Sequence, residues 1–195
     1  MSLPKRILIL GPSGAGKSTL ARSIGDRLGL PVVHLDAINW NPGWVQTETG
    51  LFRERVKEAV ARDAWVMDGN YSAHLDLRLP RAEAVIWLDL PRYVYFSRAV
   101  WRSIWRFGRE RDDLGPGCPE QFDLSFLLDW VWNYPTRSRA SRTAHVRSSF
   151  GSPRNNFAVP ARSEAIHAGS AALSRLRHRG RVDPKRLTRN RHRPN

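Results

Sequence analysis

Short apolar runs separated by amphipathic stretches fill the chain from Ile7 to about Asn133, and there the pattern stops. Ile7–Leu10, Pro31–Leu35, Ala64–Met67 and Ala84–Leu90 are each too short for a buried helix. Rich in β-branched and bulky apolar residues and bounded by Gly, Pro or Asp, they predict parallel strands buried on both faces. Between them the period changes. Leu20, Ile24 and Leu28 recur every four residues before a stop at Gly29, and Leu51, Phe52, Val56, Ala59 and Val60 line one side of a helix predicted over residues 47–62. Residues 92–107 predict another helix, with Val94, Trp101, Ile104 and Trp105 on its apolar side. Residues 123–133 predict a last one, apolar on most sides and so expected to be heavily buried. Strands alternating with helices predict an α/β fold in three layers, a parallel sheet covered by helices on both faces.

The turn between the first strand and the first helix reads Gly11-Pro12-Ser13-Gly14-Ala15-Gly16-Lys17-Ser18, an unbroken G-x-x-x-x-G-K-[ST]. Glycines let the backbone curl so that successive N–H groups hold phosphate oxygens, and the following helix adds its positive end. Strand, glycine loop and helix together are the context that makes the motif a phosphate-binding (P-loop) site. Gly11, Ser13, Gly14, Ala15, Gly16, Lys17, Ser18 and Thr19 are therefore expected to cradle a nucleoside triphosphate, ATP above all. Lys17 would reach its outer phosphates and the Ser18 hydroxyl would ligate Mg2+.

Further candidates come from the strand ends, because ligands of open parallel sheets sit beyond the carboxyl edge. Asp68, at the tip of the third strand, is expected to hold Mg2+ directly or through water. Asp36, after the second, would orient or deprotonate an acceptor hydroxyl, bind Mg2+ through water, or cap a turn. Trp40 and Trp44 in the next loop would either wall a substrate pocket or pin the loop to the core. Arg78 and Arg81 are candidates for a substrate phosphate, though surface arginine is the plainer expectation. Arg98, Arg102 and Arg106 at i, i+4 and i+8 form one stripe, suited to phosphate or simply solvated. Residues 108–119, polar and rich in Gly and Pro, stand where a lid could close over the phosphates.

Charge changes the picture less than its size suggests. The net +14 is divided very unevenly: residues 1–136 carry +1 and residues 137–195 carry +13. The nearly neutral part makes up most of the expected P-loop domain, residues 1–143. Residues 144–195 are expected to be a disordered basic tail or the product of a reading-frame shift. Nucleic acid would then be at most a non-specific, salt-sensitive partner of the tail. The lone Cys118 excludes an internal disulfide. No apolar run reaches membrane-spanning length, so a cytoplasmic location without membrane attachment is expected. There is no N-K-x-D segment of the kind a GTPase switch uses to read its base.

Five segments in order, G-P-S-G-A-G-K-S, V-V-H-L-D-A-I-N-W-N-P-G-W, W-V-M-D-G-N-Y-S, V-I-W-L-D-L-P-R and P-G-C-P-E-Q-F-D, resemble the bacterial DNA topology modulation proteins, small adenylate-kinase-like P-loop proteins. The resemblance covers roughly residues 5–140. It implies a nucleoside-monophosphate-kinase-like fold with a five-stranded parallel sheet and a lid. Asp68-Gly69-Asn70-Tyr71 stands where adenylate kinases carry D-G-F-P-R, and the arginines of residues 98–109 stand where those kinases keep lid arginines. The expected activity is transfer of the ATP γ-phosphoryl group, with Mg2+, to an unidentified small-molecule, nucleotide-like acceptor; the alternative is a nucleoside triphosphatase or regulatory P-loop protein that binds nucleic acid non-specifically through the basic tail. Lys17, Asp36, Asp68, Arg98 and Arg102 are the expected catalytic residues. The implied fifth strand and final helix have no clear counterpart after residue 140.

Overall fold

Strand β1 (Arg6–Leu10) forms the centre of the sheet because four of its five residues are fully buried between two layers. The computed structural model describes residues 3–134 and the backbone of residues 156–159. Along β1, Leu8 and Leu10 join a cluster with Val56, Val60, Trp65, Met67 and Leu79, while Ile7 and Ile9 point the other way. Helix α1 (Lys17–Leu28) packs on β1 and on β5 (Trp65–Asp68). It ends at Gly29, whose φ of 65° is the left-handed conformation of a helix C-cap.

The remaining elements follow in the expected alternation. Strand β2 (Val32–His34) runs directly into a short helix α2 (Leu35–Asn39), then a hairpin of β3 (Trp40–Asn41) and β4 (Val45–Gln46). Helix α3 (Thr49–Ala61) is capped by the Glu48 carboxylate, which accepts from the N–H groups of Gly50 and Leu51. After β5 come the short α4 (Leu75–Arg78), strand β6 (Ala84–Leu88) and helix α5 (Arg92–Trp105). With a last strand β7 (Asn156–Val159), the sheet order is β2-β5-β1-β6-β7, with every pairing parallel.

Two expectations are corrected. The fifth strand does exist: β7 (Asn156–Val159) pairs in parallel with β6, from Val85–Asn156 to Leu88–Val159. It lies within the 144–195 stretch assigned to a tail, beyond the boundary at 143. Four residues of Asn-Phe-Ala-Val carry too little periodicity to be recognised, and the edge of β6 that receives them is far away in sequence. The rest of that tail, and the weak helix pattern of residues 163–176, lie outside the described residues.

The helix of residues 123–133 is not heavily buried. Its Phe126–Trp132 portion is wound as a π-helix and buries Leu127 and Val131, while Leu124, Phe126, Leu128, Trp130 and Trp132 are exposed. A segment apolar on most sides does not specify which side meets a neighbour. Here α5 offers a narrow seam: Phe96 meets the Trp132 ring edge-on at 5.0 Å, and Arg92 stands 5.0 Å from the same ring. Among the described residues no helix is long and apolar enough to cross a membrane.

Candidate active site

The glycine loop adopts a conformation that other residues could not hold. Gly11, Gly14 and Gly16 have φ of 150°, 82° and 90°. A Cβ on Gly14 would stand 2.1 Å from the Tyr95 carbonyl oxygen, so the loop lies directly on α5. Asn70 clamps its start, with Nδ2 donating to the Gly11 carbonyl at 2.8 Å and Oδ1 accepting from the Gly11 N–H at 3.3 Å. Lys17 opens α1 and its ammonium donates to the Pro12 carbonyl at 3.0 Å, folded over the loop. Ala15 is buried, and Ser18 and Thr19 occupy the first turn of the helix.

Parallel pairing brings the strand ends to this loop. Asp68 aligns with Ile9 of β1 and with His34 of β2. Its buried carboxylate accepts from the Ser18 hydroxyl at 2.8 Å and from His34 Nδ1 at 2.5 Å. Ser18 and Asp68 are hard oxygen donors side by side, which suits Mg2+. Among the described residues no cluster of three or more His, Cys, Asp or Glu could enclose a metal. The pair therefore fits an ion that completes its shell with water and substrate phosphates, the usual habit of Mg2+. Sequence reasoning missed His34. It stands in the V-V-H-L-D run, but only the β2–β5 register places it against Asp68.

Asp36 lies in α2 rather than at a free strand tip, and accepts a 2.7 Å hydrogen bond from the Tyr71 hydroxyl. Burial, and then the Asp36 charge, push the Tyr71 phenol far above its ordinary range, so it stays a donor. Neither Arg78 nor Arg81 faces a ligand. Arg78 is fully buried and donates to the carbonyls of Gly69, Asn70, Tyr71 and His74, shaping the loop after β5. Arg81 donates to the Val60 and Ala61 carbonyls at the end of α3.

The arginine stripe divides. Arg102 turns inward, its guanidinium 3.4 Å from the Ser13 hydroxyl and 3.2 Å from the Glu120 carboxylate. Arg98 and Arg106 are exposed, and Arg106 already lies past the end of α5. In place of the stripe, the structure gathers groups from residues 108–120. Arg111 holds Asp113 with two hydrogen bonds and Glu120 with one at 3.0 Å, and Ser103 also donates to Glu120 at 3.1 Å. Burial raises the carboxyls of Asp113 and Glu120, but the neighbouring guanidinium groups outweigh it and hold both below the usual range. The Ser18 hydroxyl and His34 make smaller contributions to holding the Asp113 carboxyl low. Sequence reasoning missed Arg111, Asp113 and Glu120 as a network, because charged residues in and beside a Gly/Pro-rich loop show no period.

The same segment grips the β3–β4 hairpin on its other side. Trp44 Nε1 donates to the Pro119 carbonyl at 2.9 Å, Gly43 N to the Gly117 carbonyl at 2.7 Å, and the Cys118 thiol to the Asn41 carbonyl at 3.1 Å. Trp44 thus ties its loop down, in edge-on contact with Trp40 at 5.5 Å. Residues 108–120 hold the hairpin directly and reach the glycine loop through Arg102.

With its parallel five-stranded order and its strand–glycine loop–helix at the carboxyl edge, this chain has the P-loop NTPase fold of the nucleoside-monophosphate-kinase type, a nucleotide-binding kinase fold. Comparison with known proteins agrees. Residues 7–89 match the family described as ATPase family associated with various cellular activities (AAA). The adenylate kinase of Moorella thermoacetica is 29% identical over 130 residues. That match takes in 52% of this chain and spans 60% of the length of the curated relative. Among solved structures, shikimate kinase from Acinetobacter baumannii in complex with shikimate superposes with a TM-score of 0.55 at 18% identity, covering 91% of this chain and 96% of that one. Shikimate kinase from Bacteroides thetaiotaomicron gives 0.51 at 18% identity, covering 90% and 99%. At such identities the likeness is one of fold.

Proposed function

We propose that this protein is an ATP- and Mg2+-dependent phosphotransferase acting on a small-molecule acceptor. The observation that carries the reading is the convergence of Lys17, Ser18 and Asp68 at the carboxyl edge of the sheet, with Ser18 already bonded to Asp68. The likeness to adenylate kinase and the resemblance of five segments to the DNA topology modulation proteins support it. The loop N–H groups and the start of α1 bind the phosphates. Lys17 neutralises charge that grows on the transferred group, and Arg102, with Arg111 behind it, approaches from the loop's flank. Ser18 and Asp68 would hold the ion, which when bound supplies further neutralisation of the phosphate oxygens. His34 fixes the orientation of the Asp68 carboxylate, as partners of metal-binding carboxylates do. Residues 108–120 act as the lid, excluding water from the reacting phosphate.

The test is Lys17→Ala. Turnover of ATP in the presence of acceptor should fall by at least ~10²-fold, the scale of removing one preorganised donor. The far-UV circular dichroism should match that of the parent. Turnover at the parent rate would refute the site.

A further inference from the structure

We propose that the outer face of α5 docks on an anionic phospholipid surface, its aromatic side chains entering the boundary between headgroups and acyl chains. The inference lies outside the kinase reading and concerns the side of α5 turned away from the glycine loop.

Helix α5 is packed through Tyr95, Ala99 and Ser103, which recur every four residues and are buried. A Cβ on Gly14 would stand 2.1 Å from the Tyr95 carbonyl oxygen and 3.1 Å from the Ala99 nitrogen. The backbone of the glycine loop lies so close to this side that it has no room for bulk. At about 3.6 residues per turn, the opposite side carries Tyr93, Ser97, Trp101, Ile104 and Trp105. All five are exposed. The side whose spacing marks it as apolar is therefore the side in solvent.

Tyr93, Trp101, Ile104, Trp105 and, just past the helix, Phe107 are each more than half exposed. From Tyr93 to Trp105 the strip runs about 18 Å along the axis. The two indoles stack with centroids 5.5 Å apart and planes at 14°. A single exposed apolar side chain is ordinary, whereas a continuous exposed strip marks a contact with a protein or a membrane.

Charge chooses the occupant. Residues 92–109 contain Arg92, Arg98, Arg102, Arg106 and Arg109 and no acidic residue. Arg92 stands over the Trp132 ring, and Arg102 is turned to Ser13 and Glu120. Arg98, Arg106 and Arg109 are exposed and take no part in the ion pairs that Arg102 and Arg111 form here. A second copy of the chain would set this row of guanidinium groups against itself, and the arginine-rich residues 175–195 carry the same sign. The face fits an anionic partner. Single-stranded nucleic acid matches it less well, because the indoles contact each other and leave no slot for a base between them, and Ile104 has no ring to stack on. A lipid surface uses every group present. The Trp and Tyr rings and Ile104 bury at the headgroup level, and the arginines beside them reach lipid phosphates. Attachment of this kind departs from the expectation of no membrane contact, yet it requires no spanning helix, and none occurs among the described residues.

The test mixes the full-length protein with vesicles of phosphatidylcholine alone or of phosphatidylcholine with phosphatidylglycerol, and reads the bound fraction by co-sedimentation. Tighter binding to the mixed vesicles is expected. Trp101→Ser combined with Trp105→Ser should weaken it at least ~10-fold, about the worth of burying one large apolar side chain. Ser97→Trp adds a ring to the same strip and should tighten binding at least about threefold. These positions are exposed, so far-UV circular dichroism and Tm should match the parent in both variants. Brominated acyl chains should quench tryptophan fluorescence more in the parent than in the double variant. Basic residues outside α5 contribute equally to parent and variants, so the ratio between them reads this face alone. Equal vesicle binding by the parent and the double variant overturns the proposal. So does a single-stranded oligonucleotide complex, or a dimer in sedimentation equilibrium, that needs Trp101 and Trp105 while vesicles are not bound.

Discussion

Glu120→Gln is the perturbation whose effect the structure defines most fully. The Glu120 carboxylate is 4% exposed and accepts from Ser103, Arg102 and Arg111 at 3.1, 3.2 and 3.0 Å. Gln has nearly the same volume and keeps one acceptor oxygen, so packing and the Ser103 bond can survive. The negative charge cannot. Arg111 would keep Asp113 while Arg102 loses its ion pair with Glu120, and burial already pulls the Arg102 guanidinium below its ordinary value. Removing one partner of a buried ion pair costs about 3–5 kcal/mol. The Arg102 side chain is 25% exposed, which places the effect at the lower end, about 3 kcal/mol. A domain of this size loses about 2–4 °C of Tm per kcal/mol, so a fall of roughly 6–12 °C is expected without nucleotide. The pH dependence follows from the lowered carboxyl. A group held below its unfolded value of 4.5 stabilises the fold fully above that value, and the contribution fades as pH falls through the folded value. The difference in Tm between parent and variant should therefore be constant from neutrality down to about pH 5 and shrink in more acidic buffer. Thermal melts by circular dichroism read both quantities. A variant melting within about 2 °C of the parent at pH 7 would refute the reasoning, because less than ~1 kcal/mol would then reside in the network.

Two further substitutions probe the site. Gly14→Ala places a methyl 2.1 Å from the Tyr95 carbonyl oxygen at φ 82°, so the loop must leave α5. Left-handed strain alone costs about 1–2 kcal/mol, and a drop in Tm together with at least tenfold weaker ATP binding by titration is expected. Arg102→Gln should weaken ATP binding about tenfold more than Arg98→Gln, since only Arg102 reaches Ser13; a charge-assisted contact is worth about 1.5–3 kcal/mol. Equal losses in the two variants would restore the stripe as a unit.

The sequence by itself determined the parts of this protein whose signals are local. The glycine loop is legible because its chemistry occupies eight consecutive residues, Gly11 to Ser18. Four strands are legible because they are short unbroken apolar runs, and for β5, β1 and β6 a place between two neighbours in the sheet demands such runs. Asp68 followed from its place at the end of one of them. Tertiary structure alone decided what depends on pairing between distant segments. The β2–β5 register put His34 on Asp68, and the edge of β6 made a strand of Asn156–Val159. Which face of the last helix is covered depends on its packing against α5, where Phe96 and Arg92 meet Trp132. Arg78 looked like a surface or phosphate-binding arginine and became an internal clamp, because only the folded loop turns four carbonyls toward it. The arginines of α5 differ for a similar reason. Their spacing is regular, but the partners Ser13 and Glu120 come from elsewhere in the chain and reach only Arg102. Periodicity reports which side chains share a face. It carries no information about which distant carboxylate, carbonyl or hydroxyl that face will meet.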